Sequence, residues 1–392
     1  MFNLRLAQSY MLEHYIDGWL IYDFRGSNPI MWQILGKKST TRRTFLFIPS
    51  KGEPRLLTHV VDKDQFSGIS FPIDYYISWN DMNQKLREIL KENSKIAMEY
   101  SPNGSIPAMS WVDGGTLELI RSFGVEICSS ADLFQVAVAS WSENALKSHL
   151  QVGKEVAEIK DMAFDYIKQT IKRGKVLTEY DVQEFIMQQF QIRNLETEDR
   201  PIVAVNENSG NPHYQPSPQV HSQIKKGDWV LIDLWARYPG ESNVFSDITW
   251  VGYVGQEIPS KYQTIFEIVK KARDLVVERL ESAFKKGETF QGWELDMVAR
   301  NYIQQAGYGK YFIHRTGHSL SPGPFLHGLG VNLDNLETHD TRKVLPGLGF
   351  SIEPGIYLPE FGVRLEINVY MSENGPIITT PIQNEIIKIA EG

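Results

Sequence analysis

The chain has 392 residues, of which 42% are hydrophobic and 22% charged, so it has the composition of a globular protein with room for about two domains. Its 40 basic and 48 acidic residues give a formal net charge of −8, which argues against nucleic acid or an anionic membrane as a partner. The single cysteine, Cys128, excludes an intrachain disulfide and a metal site built from cysteines.

Segments that would direct the chain to or across a membrane are missing from the pattern. No uninterrupted apolar run reaches the length of about 18 residues that a spanning helix needs. The first residues carry Arg5, Glu13 and Asp17 and lack the apolar core of a signal peptide. We therefore expect a soluble, cytoplasmic protein.

The N-terminal part alternates short β-rich segments with helical ones, which is typical of an α/β layer domain. Strands are predicted at 18–24, 44–49, 54–61 and 95–100. A helix is predicted at 81–93, because its apolar residues recur at helical spacing. We place this first domain at residues 1–142.

A long helical stretch, one helix or two abutting ones, opens the second domain, which we place at residues 143–392. Ser142 is its expected N-cap and Gly174 its stop signal, and a further helix is expected after a cap at Thr178. From residue 201 onward strands dominate the pattern. Two more helices are predicted at about 260–285 and 291–306.

Four acidic residues lie inside apolar, strand-like segments of this second domain: Asp233, Asp247, Glu353 and Glu366. A carboxylate in such a place is costly unless it is paired or bound to a cation. Any one of them alone fits an ordinary ion pair with lysine or arginine. Four in one domain favour a shared explanation.

Hairpin geometry suggests that explanation. Asp233 and Asp247 are symmetric about Gly240, and Glu353 and Glu366 are symmetric about the Pro359-Glu360 pair. We expect each pair to lie directly opposite across paired strands, with Cβ atoms roughly 4.5–5.5 Å apart. Like charges this close need compensation, and two divalent cations would balance four carboxylates.

A fifth ligand candidate comes from the segment HRTGHSLSPGPFLH, in which His314 and His318 are four residues apart and which reads as a loop or short strand. Oxygen donors with one imidazole favour Mn²⁺, with Co²⁺ or Zn²⁺ as alternatives. Two such ions bridged by water form a hydrolytic site, because they generate hydroxide near neutral pH and polarise a carbonyl group.

At these residues the sequence resembles the pita-bread metallopeptidases, a family that includes aminopeptidase P, prolidase and methionine aminopeptidase. Asp233, Asp247, His318, Glu353 and Glu366 match, in order, the five metal ligands of that family, within the local motifs SDIT, HxxGH, EPGIY and VRLE. The resemblance implies an α+β protein. Its C-terminal pita-bread catalytic domain would follow a smaller α/β domain like that of creatinase and prolidase.

The resemblance also implies roles around the substrate. The implied substrate-binding positions are His213, His314, His327, Tyr357 and Arg364. Of these, His213 and His327 would also act in catalysis, together with Glu353, which would both bind metal and shuttle a proton. Judged from the residues alone, each histidine also fits a structural role. Arg364 fits a counter-charge for Glu366, since positions two apart share a strand face.

The activity implied by the resemblance is that of a dinuclear exopeptidase, in which a metal-bridging hydroxide hydrolyses the bond before proline. Within the family, aminopeptidase P takes longer peptides and prolidase takes dipeptides, and the sequence does not separate the two. The alternatives are a different substrate, a binding protein that has lost its metal, or a metal-free hydrolase like creatinase. The complete ligand set argues against the last two.

Three departures from the family pattern affect the expected cleft. The Asp233–Asp247 and His318–His327 separations are longer than usual, and Trp250 stands where arginine is common. None of them removes a ligand. The resemblance further implies a homodimer that acts on peptide substrates.

Overall fold

The computed structural model of the protein describes residues 2–389. These residues separate into two compact units, one ending at Val138 and the other beginning at Ala139. That independently folding domains meet at residue 142 stays a prediction. None of the helices between residues 2 and 389 combines the length and hydropathy of a membrane-crossing segment.

The first unit is built on a six-stranded mixed sheet with the order β4-β3-β2-β1-β5-β6. Its strands are β1 (Gly18–Phe24), β2 (Arg43–Pro49), β3 (Arg55–His59), β4 (Ile73–Tyr76), β5 (Lys95–Met98) and β6 (Glu126–Ser129). Its helices are α1 (Leu4–Glu13), α2 (Pro29–Leu35), α3 (Trp79–Leu90), α4 (Gly114–Arg121) and α5 (Ala131–Phe134). The predicted α/β organisation of this part is confirmed.

The second unit contains four long helices and three small sheets, ordered β16-β9-β8-β7, β10-β11-β14-β15 and β12-β13. Its helices are α6 (Glu143–Lys172), α7 (Glu179–Ile192), α8 (Ser260–Lys286) and α9 (Gly292–Gln305). Its strands are β7 (Ile202–Val205), β8 (Trp229–Ala236), β9 (Ser246–Tyr253), β10 (Ser319–Leu320), β11 (Gly349–Ile352), β12 (Gly355–Tyr357), β13 (Gly362–Arg364), β14 (Ile367–Ser372), β15 (Gly375–Ile378) and β16 (Ile387–Lys388).

The helix boundaries follow from capping. Helix α6 is continuous, and the Ser142 hydroxyl accepts a hydrogen bond from the Ala145 N–H at 3.1 Å, as the predicted N-cap should. Helix α7 begins with a capping box in which Thr178 and Asp181 each accept from the other's main-chain N–H. Helix α6 ends at Lys172, and its C-cap Arg173 is followed by Gly174, whose φ of 66° suits a residue without a side chain.

The β8–β9 hairpin is covered on both faces, and its two faces have different neighbours. One face of β8, which includes Val230 and Ile232, packs in the core formed with α6 and α7. The other face, which includes Trp229 and Leu231, packs in the core formed with α8 and α9. Because side chains alternate along a strand, Asp233 continues the second face into the interior of this unit.

Candidate metal centre

The β8–β9 register differs from the expected one by two residues. Asp247 lies opposite Trp235, and Asp233 lies opposite Thr249. The prediction that the two aspartates are directly opposed was therefore wrong, because the connecting loop is centred on Glu241 and not on Gly240. The shift is an even number of residues, so both carboxylates stay on the same face as diagonal neighbours.

Glu353 and Glu366 follow the expected symmetry. Strand β11 pairs with β14 up to Ile352 opposite Ile367, and β12 pairs with β13 from Gly355 opposite Arg364. Both ladders share one register, and the two glutamates occupy opposed positions in the gap between them. The gap frees both residues from ladder pairing at the point where this ribbon meets β9.

Three of the five expected ligands form a cluster. Ligand atoms of Asp247, His318 and Glu366, all buried, lie within 4.8 Å of one another. The Nε2 atom of His318 lies 3.3 Å from an Asp247 oxygen and 3.4 Å from a Glu353 oxygen. The other ring nitrogen, Nδ1, is 3.1 Å from the Ser319 carbonyl oxygen, to which it donates. That bond leaves Nε2 directed at the carboxylates, where the nitrogen could bind a metal ion in place of its proton.

Two buried oxygens of this cluster, Asp247 Oδ1 and Glu366 Oε1, have no hydrogen-bond partner in the described chain. Buried carboxylate oxygens are nearly always satisfied, so two orphans side by side need an external partner. A cation with oxygen and nitrogen ligands fits this donor set. We conclude that the residues present suit a divalent metal ion.

Asp233 lies at the other end of the site, where Arg364 donates a hydrogen bond to it. The Thr249 hydroxyl lies 3.0 Å from Asp233 and 2.8 Å from Glu366, and accepts from Arg364 at 2.9 Å. Its single hydrogen serves only one of the two carboxylates at a time. Arg364 forms ion pairs with Asp233 and, at 3.9 Å, with Glu353. Burial raises the pKa of Glu366, the partner considered from the sequence, and the charge of Arg364 opposes that rise without an ion pair between the two.

The carboxylates of the site are buried close together and repel one another. Burial raises the pKa of Asp233 to about 7 despite the neighbouring Arg364. Burial also raises the pKa of Asp247, and burial with repulsion from Asp247 raises the pKa of Glu366 well above its ordinary value. Burial acts to lower the pKa of His318, but its hydrogen bond to Asp247 and the negative charges of Glu353 and Asp247 together outweigh burial and raise the pKa. A bound cation would relieve this repulsion.

Main-chain anchors hold the ligands in place. The Asn368 side chain forms two hydrogen bonds with the main chain of Asp247. The Ser351 hydroxyl accepts from the His318 N–H at 2.9 Å and donates to Glu353 at 3.0 Å. These contacts join β9, β11, β14 and the loop before β10, so four distant parts of the sequence converge on one site.

His314 and Tyr357 belong to a hydrogen-bonded chain that begins at Arg364. Arg364 donates to the Tyr357 hydroxyl at 3.0 Å, so that hydroxyl uses its own hydrogen to donate to His314 Nε2 at 2.7 Å. His314 Nδ1 donates to the Arg315 carbonyl at 2.6 Å. Burial lowers the pKa of His314 to about 4, so the ring is neutral with both nitrogens in use. The ring can therefore pack against a ligand in the cleft but cannot form a further hydrogen bond with it.

The other two expected histidines lie at the mouth of the site and are exposed. The His327 ring packs 4.3 Å from the His318 ring, and its Nδ1 accepts from Arg315 at 3.2 Å. Positive charge on His318, followed by burial, lowers the pKa of His327. His213 is held through its main chain, whose N–H donates to Asn211 at 3.0 Å.

All of the predicted site residues except Tyr357 line one cavity of about 610 Å³. Sequence reasoning missed Arg315, which lines the cavity, and Thr249, which bonds to Asp233 and Glu366, although both lie inside the motifs HRTGH and SDIT that it singled out. Trp235 packs in an apolar cluster and also lines this cavity.

Comparison with known proteins agrees with the fold and the motifs. The profile of Metallopeptidase family M24 matches residues 152–373, more than half of the chain. The putative dipeptidase YkvY of Bacillus subtilis is 34% identical over 191 residues, 47% of this chain and 46% of that protein. The Xaa-Pro dipeptidase of Pyrococcus furiosus is 32% identical over 250 residues, 62% of this chain and 64% of that protein. The chain thus spans about half to two thirds of these curated relatives.

The fold is shared with the crystal structure of dipeptidase PepE from Mycobacterium ulcerans, with a TM-score of 0.67 and 20% identity. That match covers 99% of this chain and 97% of the other. It confirms the expected α+β fold class, with a pita-bread domain preceded by a smaller domain. The resemblance drawn from the motifs is also confirmed: the chain belongs to metallopeptidase family M24, the pita-bread metallopeptidases.

Proposed function

We propose that the protein is a metal-dependent exopeptidase that hydrolyses the peptide bond before proline in short Xaa-Pro peptides. The observation that carries the proposal is the cluster of Asp247, His318 and Glu366, whose ligand atoms lie within 4.8 Å and include two unpartnered buried oxygens. The names of its relatives, which include Xaa-Pro dipeptidases, support the choice of bond.

In this proposal the site holds two divalent ions, and Mn²⁺ is the expected metal because oxygen donors predominate. The ligands are Asp233, Asp247, His318, Glu353 and Glu366. When bound, such an ion pair activates water near neutral pH and polarises the scissile carbonyl group. Asp233 and Glu353, the two expected ligands outside the three-residue cluster, both lie beside Arg364 and would complete the ligand set.

The chain's own residues then move the proton and stabilise the reacting group. Glu353 takes a proton from the attacking water and passes it to the leaving nitrogen, which is general acid–base catalysis. Its hydrogen bond from Ser351 directs one oxygen toward the centre of the site. His327 and His213, both on the cavity wall, donate to the oxygen on which negative charge develops.

The proline preference has a chemical basis. A bond before proline is a tertiary amide without an N–H, so a peptidase that holds that N–H cannot use it. The neutral His314 ring lines the cavity and forms the wall against which a proline ring would pack. The Tyr357 ring, which does not line the cavity, supports it edge to face with centroids 5.3 Å apart. Arg364 fixes this wall through the Tyr357 hydroxyl.

Metal analysis combined with peptide assays tests the proposal. The purified protein should contain Mn²⁺, Co²⁺ or Zn²⁺, and should cleave Ala-Pro, Ala-Pro-Ala or both. Cleavage of the dipeptide alone makes it a dipeptidase, and cleavage of the tripeptide makes it an aminopeptidase. Absence of both bound metal and hydrolysis would refute it.

A pair of variants tests the assigned proton carrier. Glu353→Gln should abolish turnover without unfolding the protein, because the change keeps the size of the side chain and removes its basicity. Glu360→Gln, at the exposed tip between β12 and β13, is the matched control and should leave kcat/KM unchanged. Retained turnover in the Glu353 variant would contradict its role.

Two further expectations from the sequence analysis, a homodimer and a cytoplasmic location, remain predictions. A homodimer should elute at twice the chain mass and give that mass by light scattering. A cytoplasmic location should place the protein in the soluble fraction after cell rupture, free of membrane pellets. Neither bears on the chemistry of the site.

A further inference from the structure

The charges on the wall of the 610 Å³ cavity are unevenly distributed. Six carboxylates line it: Asp199, Asp233, Asp247, Glu337, Glu353 and Glu366. Two guanidinium groups, Arg315 and Arg364, are the cations on the same wall. Bound metal would balance the carboxylates of the cluster, so the way in which the two arginines are used decides what else the cleft attracts.

The guanidinium of Arg364 is already engaged by neighbouring side chains. It is buried and bonds to Asp233, Thr249 and Tyr357. Arg315 is engaged less. Within the described chain its guanidinium donates one hydrogen bond, to His327 at 3.2 Å, and makes a long ion pair of 3.7 Å with Glu337, whose side chain is 52% exposed. Arg315 is therefore the cation of the cleft that retains free donors.

Hydrogen bonds hold the main chain on both sides of Arg315, so the fold sets the point from which its side chain extends. On one side, the His314 carbonyl accepts a hydrogen bond from Arg300 at 2.9 Å. On the other, the Thr316 N–H donates to Asp296 at 2.9 Å. Arg300 and Asp296 are paired on helix α9, which fixes both flanking peptides to one element.

A single side chain, the imidazole of His327, lies between Arg315 and the metal cluster. The His327 ring separates Arg315 from His318, with 4.3 Å between the ring centroids of the two histidines. One residue of extended peptide spans about 3.3–3.6 Å. A carboxylate on the residue next to a scissile carbonyl at the cluster is thus within reach of a guanidinium at this position.

Resting on the function proposed above, we propose that Arg315 binds a carboxylate group of the substrate and makes the cleft selective for short peptides that carry one. A planar guanidinium binds a carboxylate through two parallel hydrogen bonds. Two sources offer this chemistry: the C-terminal carboxylate of a dipeptide, and an acidic side chain on the residue before proline.

Two pairs of substrates separate these sources. Ala-Pro and Ala-Pro-amide differ only in the terminal carboxylate, and Glu-Pro-amide and Gln-Pro-amide differ only in the side-chain carboxylate. We expect the wild-type protein to favour the carboxylate in one pair by about 10- to 100-fold in kcat/KM. Arg315→Gln should reduce that ratio to near one, and Arg315→Lys should restore part of it.

The quantity to compare is the ratio of kcat/KM values within each substrate pair, because Arg315 also donates a hydrogen bond to His327. Loss of that hydrogen bond would lower kcat/KM for both members of a pair equally and leave the ratio unchanged. Glu337→Gln should raise the ratio, because it removes a carboxylate that competes for Arg315. An unchanged ratio in Arg315→Gln, or no preference in either pair for the wild-type protein, would overturn the assignment.

A binding measurement keeps this inference separate from the proposed function. Analogues of the same four peptides with a methylene group in place of the scissile carbonyl cannot be hydrolysed. Calorimetry on the full chain should show the same acid preference and its loss in Arg315→Gln. A protein that shows this preference but cleaves no peptide would refute the proposed function and support Arg315. Equal binding of acid and neutral analogues would refute Arg315 alone.

Discussion

Asn368 on β14 is joined to Asp247 on β9 by two hydrogen bonds to the main chain of Asp247. The Asn368 amide donates to the Asp247 carbonyl at 2.7 Å, and its oxygen accepts from the Asp247 N–H at 2.9 Å. Asn368 is fully buried and lies two residues after Glu366. One side chain therefore sets the spacing between two of the expected metal ligands, one on β9 and the other in the gap before β14.

Removing this link should loosen the site without touching a ligand. We expect Asn368→Ala to weaken metal binding by about 10- to 100-fold, as loss of outer partners of metal ligands usually does. Metal titration of the purified variant, followed by calorimetry, measures the change. Asn374→Ala, at the exposed turn after β14, is the control and should bind metal like the wild type. Equal affinity in both variants would show that Asp247 holds its position without Asn368.

Metal removal should destabilise the second unit. The cluster gathers buried carboxylates whose pKa values burial raises, so chelation leaves repulsion uncompensated. Added Mn²⁺ at a hundredfold excess over its Kd should raise the free energy of unfolding by about 2.7 kcal/mol, seen as a higher Tm. Asp247→Asn should lose most of this response, whereas Glu373→Gln at an exposed turn should keep it. A chelator-insensitive Tm in the wild type would contradict a metal bound at these residues.

Position 317 requires glycine because two segments of the chain approach each other closely there. A Cβ atom at this position would overlap the carbonyl oxygen of Ser351, which lies on the strand beside the loop. Gly317→Ala should therefore shift His318, its neighbour, and destabilise the protein by about 3 kcal/mol or more, in the range of the larger single-residue effects. Gly114→Ala, where the same atom would meet open space at the start of α4, should change stability by less than about 1 kcal/mol. Denaturant unfolding of both variants decides the comparison.

The helices and the positions of several strands could be predicted because they depend on local patterns. Helices α8 and α9 end within one residue of their predicted bounds, since apolar periodicity and capping residues act over a few turns. The register between Glu353 and Glu366 was also predictable, because a short ribbon leaves little freedom between its two strands.

What the sequence could not predict depends on how separate segments meet. The loop after β8 is not symmetric about Gly240, so Asp247 lies opposite Trp235 and not opposite Asp233. The Arg364–Asp233 contact joins residues on different sheets. The packing of whole sheets decides such contacts, and no local pattern encodes it. The same holds for Arg315, which only the shape of the cavity distinguishes from an ordinary surface arginine.

A last prediction concerns the first unit, where Glu99 is fully buried. Its carboxylate accepts hydrogen bonds from the Trp19 indole at 2.6 Å, the Asn28 amide at 3.1 Å and the Tyr22 N–H at 3.3 Å. Burial nevertheless raises its pKa to about 7, above the 4.5 of an exposed glutamate. Below pH 4.5 Glu99 is protonated in both the folded and the unfolded states, and above that pH the unfolded state ionises first.

The stability of the first unit should therefore be highest below about pH 4.5, as far as Glu99 is concerned, and should fall as the pH rises to 7. A pKa difference of this size corresponds to roughly 3 kcal/mol. Hydrogen exchange of peptides covering β1 and β5, corrected for intrinsic rates, measures this slope. Glu99→Gln should flatten the slope whatever its effect on absolute stability, because glutamine does not titrate. Glu126→Gln on β6, where the side chain is 68% exposed, should leave the slope as it is. A wild-type slope that survives in Glu99→Gln would assign the pH dependence to another group.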